Sequence, residues 1–368
     1  MIGFRYSEID HELLELLSGF EQLQDLFNYL LLKANGNAQL ALDFMRQLQS
    51  HGRISADVDL ADFERELERR EVVRLDGDGR RILTDRGVRG MRRSSLERIF
   101  RSLKRGGSPG GHRTPFGGGG GTEALPERRE FQFGDDLDTI DFSASIWNTV
   151  RRVGSTDTPI LEQDLVVYDT EFSTSCATVL LLDISHSMVL YGEDRFTPAK
   201  QVALALTELI LTRYRKDTLD VVLFGDEAFP MSVNDLPFVS VGPYHTNTRA
   251  GLVTARRILE RRKNPNKQIV MVTDGKPTVI QVPGEGIYRN TWGLDERIIN
   301  RTLDEAVVCR RKGIVITTFM VADDPYLEQF VQRLTELNRG RAYFSSPDKL
   351  GDFVCVDFIR NRKNRKGR

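Results

Sequence analysis

Residues 177–187 read ATVLLLDISHS. An unbroken apolar run bounded by polar residues marks a strand covered on both faces. It closes on Asp183, and Ser185 and Ser187 follow at alternate positions. Similar runs recur along the second half of the chain: LVVYDTEF (165–172), DVVLFGD (220–226), QIVMVTDG (268–275), GIVITTFMVA (313–322) and the shorter RAYFSS (341–346). Between them lie PAKQVALALTELILTRYRK (198–216), TRAGLVTARRILERRK (248–263), DERIINRTLDEAVVCRRKG (295–313) and DPYLEQFVQRLTELN (324–338), with apolar positions three or four apart. Strands alternating with amphipathic helices predict an α/β, Rossmann-like domain: a mostly parallel sheet with helices on both faces. Pro198 suits a first helical turn.

In such sheets ligands bind beyond the carboxyl ends of the strands, so the polar residue after each apolar run carries the interest. Asp183 closes one run and Asp274 another. Two carboxylates at the ends of buried strands repel unless a cation lies between them. The hydroxyls of Ser185 and Ser187 would complete an oxygen shell without adding charge. Oxygen donors suit Mg²⁺, which prefers six ligands at about 2.0–2.1 Å and keeps several waters, so a few protein ligands suffice.

At these residues the chain resembles the von Willebrand factor A (VWA) family, whose metal ion-dependent adhesion site is Asp-x-Ser-x-Ser, then a threonine, then an aspartate. The resemblance assigns the first part to Asp183, Ser185 and Ser187, the threonine to Thr246 in YHTNTRAG, and the last aspartate to Asp274. It covers roughly residues 164–355. It implies a bound Mg²⁺, with Mn²⁺ or Ca²⁺ as alternates, and a protein partner whose Asp or Glu carboxylate takes the vacant position. The order of parts further resembles bacterial cytosolic proteins that work with MoxR-type AAA+ ATPases, and the VWA part of magnesium chelatase D subunits. That implies a non-enzymatic adaptor in complex assembly or metal-centre maturation, the ATPase being a separate protein, since no P-loop lies within this chain.

Other readings of the same residues stay open. His186 and His245 stand where relatives often have glycine and could recruit a transition metal, although a solvent-facing role fits better. Thr248 could replace Thr246 as ligand or cap the following helix, and capping is the expectation. Asp183 and Asp274 could themselves be caps. A metal-dependent hydrolase is a further alternative, without a Gly-x-Ser-x-Gly elbow or a matched base for Ser185 or Ser187.

Residues 1–103 read as a mainly helical domain, with Leu13, Leu14, Leu16, Leu17, Leu23, Phe27, Leu30 and Leu31 at helical spacing. Within it, 55–90 gives a helix and then a hairpin turning at Asp76–Gly79, the order of a winged helix. A DNA-binding regulator is therefore an alternative function, though no recognition helix stands out. Residues 104–130 are rich in glycine and proline and read as a flexible linker. An ordered lead-in is expected over 131–163, with Ile140, Phe142, Ile146 and Trp147 as hydrophobic anchors and its aromatic residues in the core. The VWA domain is expected over 164–358, and 359–368 is a basic tail.

Composition narrows the partners. Of 368 residues, 40% are hydrophobic and 29% charged, yet the formal net charge is only -1, so no global field draws nucleic acid or an acidic membrane. No run approaches the roughly 20 apolar residues of a spanning helix, and the N-terminus lacks a signal-peptide core. Cys176, Cys309 and Cys355 are few, scattered and odd in number, which fits reduced thiols and a cytoplasmic location.

Overall fold

The computed structural model describes residues 20–105, 128–131, 140–154, 159–168, 175–192, 194–214, 216–274, 276–282, 284–290, 295–321 and 324–344, with 350 and 358. The chain divides into two compact units, Met1–Phe116 with Ser175–Arg368, and Gly117–Thr174. Leu13 to Leu17, most of the Gly-rich stretch, Cys355 and the basic tail lie outside the described residues.

The first unit begins with α1 (Phe20–Lys33), α2 (Ala38–Ser50) and α3 (Leu60–Arg69), followed by the hairpin β1 (Val73–Leu75) and β2 (Arg81–Leu83) and the long α4 (Asp85–Arg105). Asn37 caps α2 and Asp59 caps α3, each accepting backbone N–H bonds of the first turn. The hairpin closes on Asp76, whose carboxylate accepts the amides of Asp78 (2.9 Å) and Arg80 (2.8 Å). Helix, hairpin and turn thus stand where the sequence places them. Around α3 the basic side chains meet acids: Arg69 and Arg70 pair with Glu66, and Arg81 with Glu64 and Glu68.

In the second unit, β3 (Arg128–Glu130) pairs antiparallel with β4 (Val166–Tyr168), beside α5 (Phe142–Val153). Asp164 is buried here and accepts from both the Nε (2.8 Å) and the Nη2 (2.6 Å) of Arg152. That bidentate guanidinium holds its carboxyl well below the usual carboxylate range. Two expectations need correction. The run LVVYDTEF contributes β4 to this small sheet, not to the central one, and pairs with β3 instead. The aromatic residues Phe142 and Trp147 are exposed rather than core, as is the anchor Ile146, because α5 buries its Ser145 and Thr149 face.

The central sheet follows in the first unit. Its strands are β5 (Cys176–Asp183), β6 (Thr218–Phe224), β7 (Ala228–Met231), β8 (Asn266–Thr273), β11 (Ile314–Met320) and β12 (Arg341–Phe344). A smaller hairpin, β9 (Val279–Val282) and β10 (Gly286–Arg289), lies between β8 and β11 in the chain. The sheet order is β12-β11-β8-β5-β6-β7, all parallel except the edge strand β7. All eight residues of β5 are buried, as the central place of its apolar run requires.

Alternate residues of β5 serve opposite faces. Leu180 and Leu182 pack toward α6 (Phe196–Arg213), and Val179 and Leu181 toward α7 (Thr248–Arg261), α8 (Glu296–Arg311) and α9 (Pro325–Asn338). α6 buries residues around its whole circumference, from Ala199 and Lys200 through Ala203, Leu204, Ala205 and Leu206 to Ile210. A helix apolar all round needs cover on both sides, and the N-terminal helices supply the second. Leu26, Phe27, Leu31, Met45 and Met91 share one continuous core with α6 and the sheet. Two buried polar ties cross this junction. Arg92 of α4 reaches Glu208 (3.3 Å) and Asn234 (3.2 Å). Lys200 donates to Asn35 Oδ1 in the α1–α2 turn (2.5 Å) and to the carbonyls of Val239 (2.8 Å) and Pro237 (3.3 Å). Burial pushes the Lys200 amine down to about 7.

Candidate metal centre at the switch point

From β5 the chain runs outward to β6 and β7, then returns to the other side of β5 for β8, β11 and β12. The direction of winding therefore reverses between β5 and β8, and the crevice beyond their carboxyl ends is where an open α/β sheet takes a ligand. Asp183 is the last residue of β5, and Asp274 follows the last residue of β8. The register sets Leu182 opposite Val272, so the two strands end side by side.

Asp183 is fully buried, and both of its oxygens are engaged: Oδ1 accepts the Ser185 amide (2.9 Å) and Oδ2 the Thr273 hydroxyl (2.6 Å). The Ser185 and Ser187 hydroxyls are 3.0 Å apart, and the Ser187 side chain hydrogen-bonds Asp274. Asp183, Ser185, Ser187 and Asp274 therefore form one connected group. Burial pushes the Asp183 carboxyl up to about 7, with the charge of Asp274 acting in the same direction. Asp274 is raised as well, chiefly by burial. The bond from Ser187, the Lys276 amide and the nearby charges of Arg195 and Lys276 oppose that rise.

Thr246 is buried on the adjoining loop. Its amide donates to Thr278 Oγ1 (3.0 Å), its carbonyl accepts the Thr278 amide (2.9 Å), and the next residue, Asn247, donates its amide to Gly225 at the end of β6 (2.8 Å). The same loop is tied to the Asp183 loop by His186 N–H to Tyr244 O (3.0 Å) and Gly242 N–H to Ile184 O (3.2 Å). Gly225 is required where it stands, since a Cβ there would meet the Tyr244 Cβ at 2.7 Å. Asn247, not Thr248, caps α7: its side chain accepts the Ala250 amide (3.0 Å), and Thr248 is the first helical residue and buried. His186 is exposed, and His245 Nδ1 lies 2.8 Å from Asp226 Oδ1.

Thr273 and Thr278 belong to this site although the sequence motif does not include them. Thr273 precedes Asp274 directly, and a hydroxyl at the last strand position is the one signal that could flag it. The β9–β10 hairpin that carries the chain on from Thr278 is likewise outside the sequence-based expectations, although TVIQV followed by PGEG is a strand running into a turn. Among the described residues, no group of three or more His, Cys, Asp or Glu could hold a metal, so any cation here would rely on hydroxyls beside the two acids.

The family described as "Rv0959-like protein, vWA domain" matches residues 176–359, half of the chain, and "Rv0959-like protein, third domain" matches residues 123–170. The uncharacterised protein Rv0959 of Mycobacterium tuberculosis is 29% identical over 327 residues, which is 86% of this chain and 47% of that protein. The chain thus spans about half the length of the curated relatives it matches. Among solved structures, the PilB minor pilin from Streptococcus sanguinis matches with a TM-score of 0.42 and 15% identity, over 54% of this chain and 65% of that one. The vWF domain of the type V pili tip protein Mfa5 from Porphyromonas gingivalis matches with a TM-score of 0.40 and 14% identity, over 53% and 98%.

Proposed function

Because the chain belongs to the Rv0959-like vWA family, we propose that its switch-point site binds one divalent cation and uses it to grip a carboxylate of a protein partner. The observation that carries this reading is the buried pair Asp183 and Asp274, each with a raised proton affinity that a divalent ion would relieve. The donor set fits a hard ion: two carboxylates with the hydroxyls of Ser185, Ser187 and Thr246, all oxygen. Mg²⁺ is the expected ion, with Mn²⁺ or Ca²⁺ as alternates. His245 is engaged by Asp226, which favours a rim role over metal ligation.

Bound there, the ion would supply a positive charge with a coordination position open to an outside oxygen. Asp183 and Asp274 would neutralise it. The hydrogen bonds from the Ser185 amide and Thr273 hold Asp183 in one orientation, and the ties from Thr278 and Gly225 hold the Thr246 loop beside it. This is binding chemistry, and on it the chain is a non-enzymatic adaptor. The resemblance of its motif and order of parts extends the proposal to a MoxR-type AAA+ ATPase as partner, in complex assembly or metal-centre maturation.

The DNA-regulator alternative is not favoured, since Arg69, Arg70 and Arg81 around α3 and the hairpin already face Glu64, Glu66 and Glu68. Calorimetric titration of the full chain with Mg²⁺ tests the metal, and capture of a candidate ring ATPase with and without chelator tests the grip. Asp183→Ala should abolish both. Capture that persists unchanged in chelator and in the variant overturns the proposal.

A further inference from the structure

We propose that the partner feature read at this site is an acidic side chain with an apolar one two residues away on an extended segment, the acid taken by the cation and the apolar side chain by the ring of Tyr244. This rests on the metal-dependent grip described above. Tyr244 belongs to the rim of that site by its backbone and by its side chain. Its carbonyl accepts the amide of His186 (3.0 Å), the residue between Ser185 and Ser187, and it stands two residues before Thr246. The ring is seated on two glycines. A Cβ at Gly242 would meet the ring Cε2 at 2.1 Å, and one at Gly225 would meet the Tyr244 Cβ at 2.7 Å and Cγ at 3.0 Å. Gly242 donates its amide to the carbonyl of Ile184 (3.2 Å), the neighbour of Asp183, and Gly225 follows Phe224, the residue opposite Asp183 in the β5–β6 register. The side chain thus lies at the carboxyl ends of β5 and β6, fixed at two points.

Yet Tyr244 is 42% exposed. A ring that only fills space between two loops is covered by them, whereas this one rests on bare backbone and keeps much of its surface in solvent. Val189, two residues past Ser187, is exposed as well, so both loops that carry the proposed metal residues show apolar surface to solvent. Neighbouring strands lie about 4.8 Å apart, which sets the ring roughly 7–10 Å from the Asp183 carboxylate. Side chains on one face of an extended segment repeat about every 6.8 Å, at alternate residues. An acid held by the cation therefore brings the side chain two positions away to the ring, and the residue between points to the opposite face. An aliphatic side chain there leaves water on contact with the ring and adds affinity, and a short hydroxyl gains nothing comparable.

The test uses the full chain with Mg²⁺ and two labelled peptides, Gly-Leu-Gly-Asp-Gly-Leu-Gly and Gly-Ser-Gly-Asp-Gly-Ser-Gly, followed by fluorescence anisotropy. Leucines on both sides of the acid make the result independent of strand direction. The leucine peptide should bind about tenfold tighter, equivalent to about 1.4 kcal/mol, and chelator should release both peptides. The ratio of the two affinities is read on each protein, so a general weakening of the site cancels. That ratio should hold in Tyr244→Phe, which keeps the ring, and fall to about twofold or less in Tyr244→Ser. It should fall likewise in Gly242→Ala, whose new Cβ displaces the ring from its seat. Equal binding of both peptides by the wild type, with Mg²⁺-dependent capture intact, overturns this inference and leaves the metal grip standing. A tenfold ratio surviving in Tyr244→Ser overturns the assignment to Tyr244, and loss of the ratio in Tyr244→Phe overturns the apolar contact in favour of the hydroxyl. If neither peptide is captured in a Mg²⁺-dependent way, the underlying metal grip fails and this inference falls with it.

Discussion

Asp183 is poised to titrate near neutrality. Its carboxyl is raised from an ordinary 3.8 to about 7 in the metal-free protein, so the folded chain holds a proton that the unfolded chain releases. The contribution of this group to stability is therefore complete below pH 4 and is lost as the pH rises through about 7. Melting curves in chelator should show the midpoint falling across that window, and saturating Mg²⁺ should flatten the fall. Asp183→Asn removes the charge while keeping the shape. It should raise the chelated protein's midpoint at pH 8 and abolish the rise that Mg²⁺ produces in the wild type. An unchanged midpoint in chelator would show that the two acids do not strain the fold. The Asp-x-Ser-x-Ser spacing and the later aspartate announce four members of the group because strand ends and loop hydroxyls leave a local trace in sequence. Thr273 leaves only a faint one: it is one more threonine in a strand, set apart by its place at the last position before Asp274.

Among the elements, the helices and strands of the central sheet are readable because their apolar periods, 3.6 and continuous, match their layers. The pairing of β4 is not, since a short β-branched run is equally at home in any sheet. Nor is the outward face of α5, where Ser145 and Thr149 are buried by hydrogen bonds that hydropathy cannot register. The junction of α6 with the N-terminal helices carries its own tests. Lys200→Met leaves the carbonyl of Val239 and the Asn35 amide oxygen without their donor and should destabilise the fold by about 1–3 kcal/mol in urea titration. Gly36 has φ +76°, and a Cβ there would lie 2.5 Å from the Phe238 ring. Gly36→Ala should therefore cost about 2 kcal/mol or more. A neutral result would mean that the α1–α2 turn shifts freely on the 3₁₀ turn Val233–Phe238.

For the molecule as a whole, the N-terminal helices are part of the core that supports the sheet, and the apolar girth of α6 hints at this in sequence without naming what covers it. A chain beginning at Ser175 exposes the far side of α6. It should bind a hydrophobic dye and elute as large species in gel filtration, whereas the full chain should not. A monomeric, dye-silent fragment with an unaltered melting midpoint would show that α6 needs no second cover.

A helix buried at most of its positions from Phe196 to Ile210 leaves few places where substitutions can accumulate unnoticed. A change at a buried position of α6 is felt at once by the sheet that frames the Asp183–Asp274 site and by the helices behind it, so the two halves can diverge only in step. Grafting either half onto a foreign neighbour would require rewriting this one helix first.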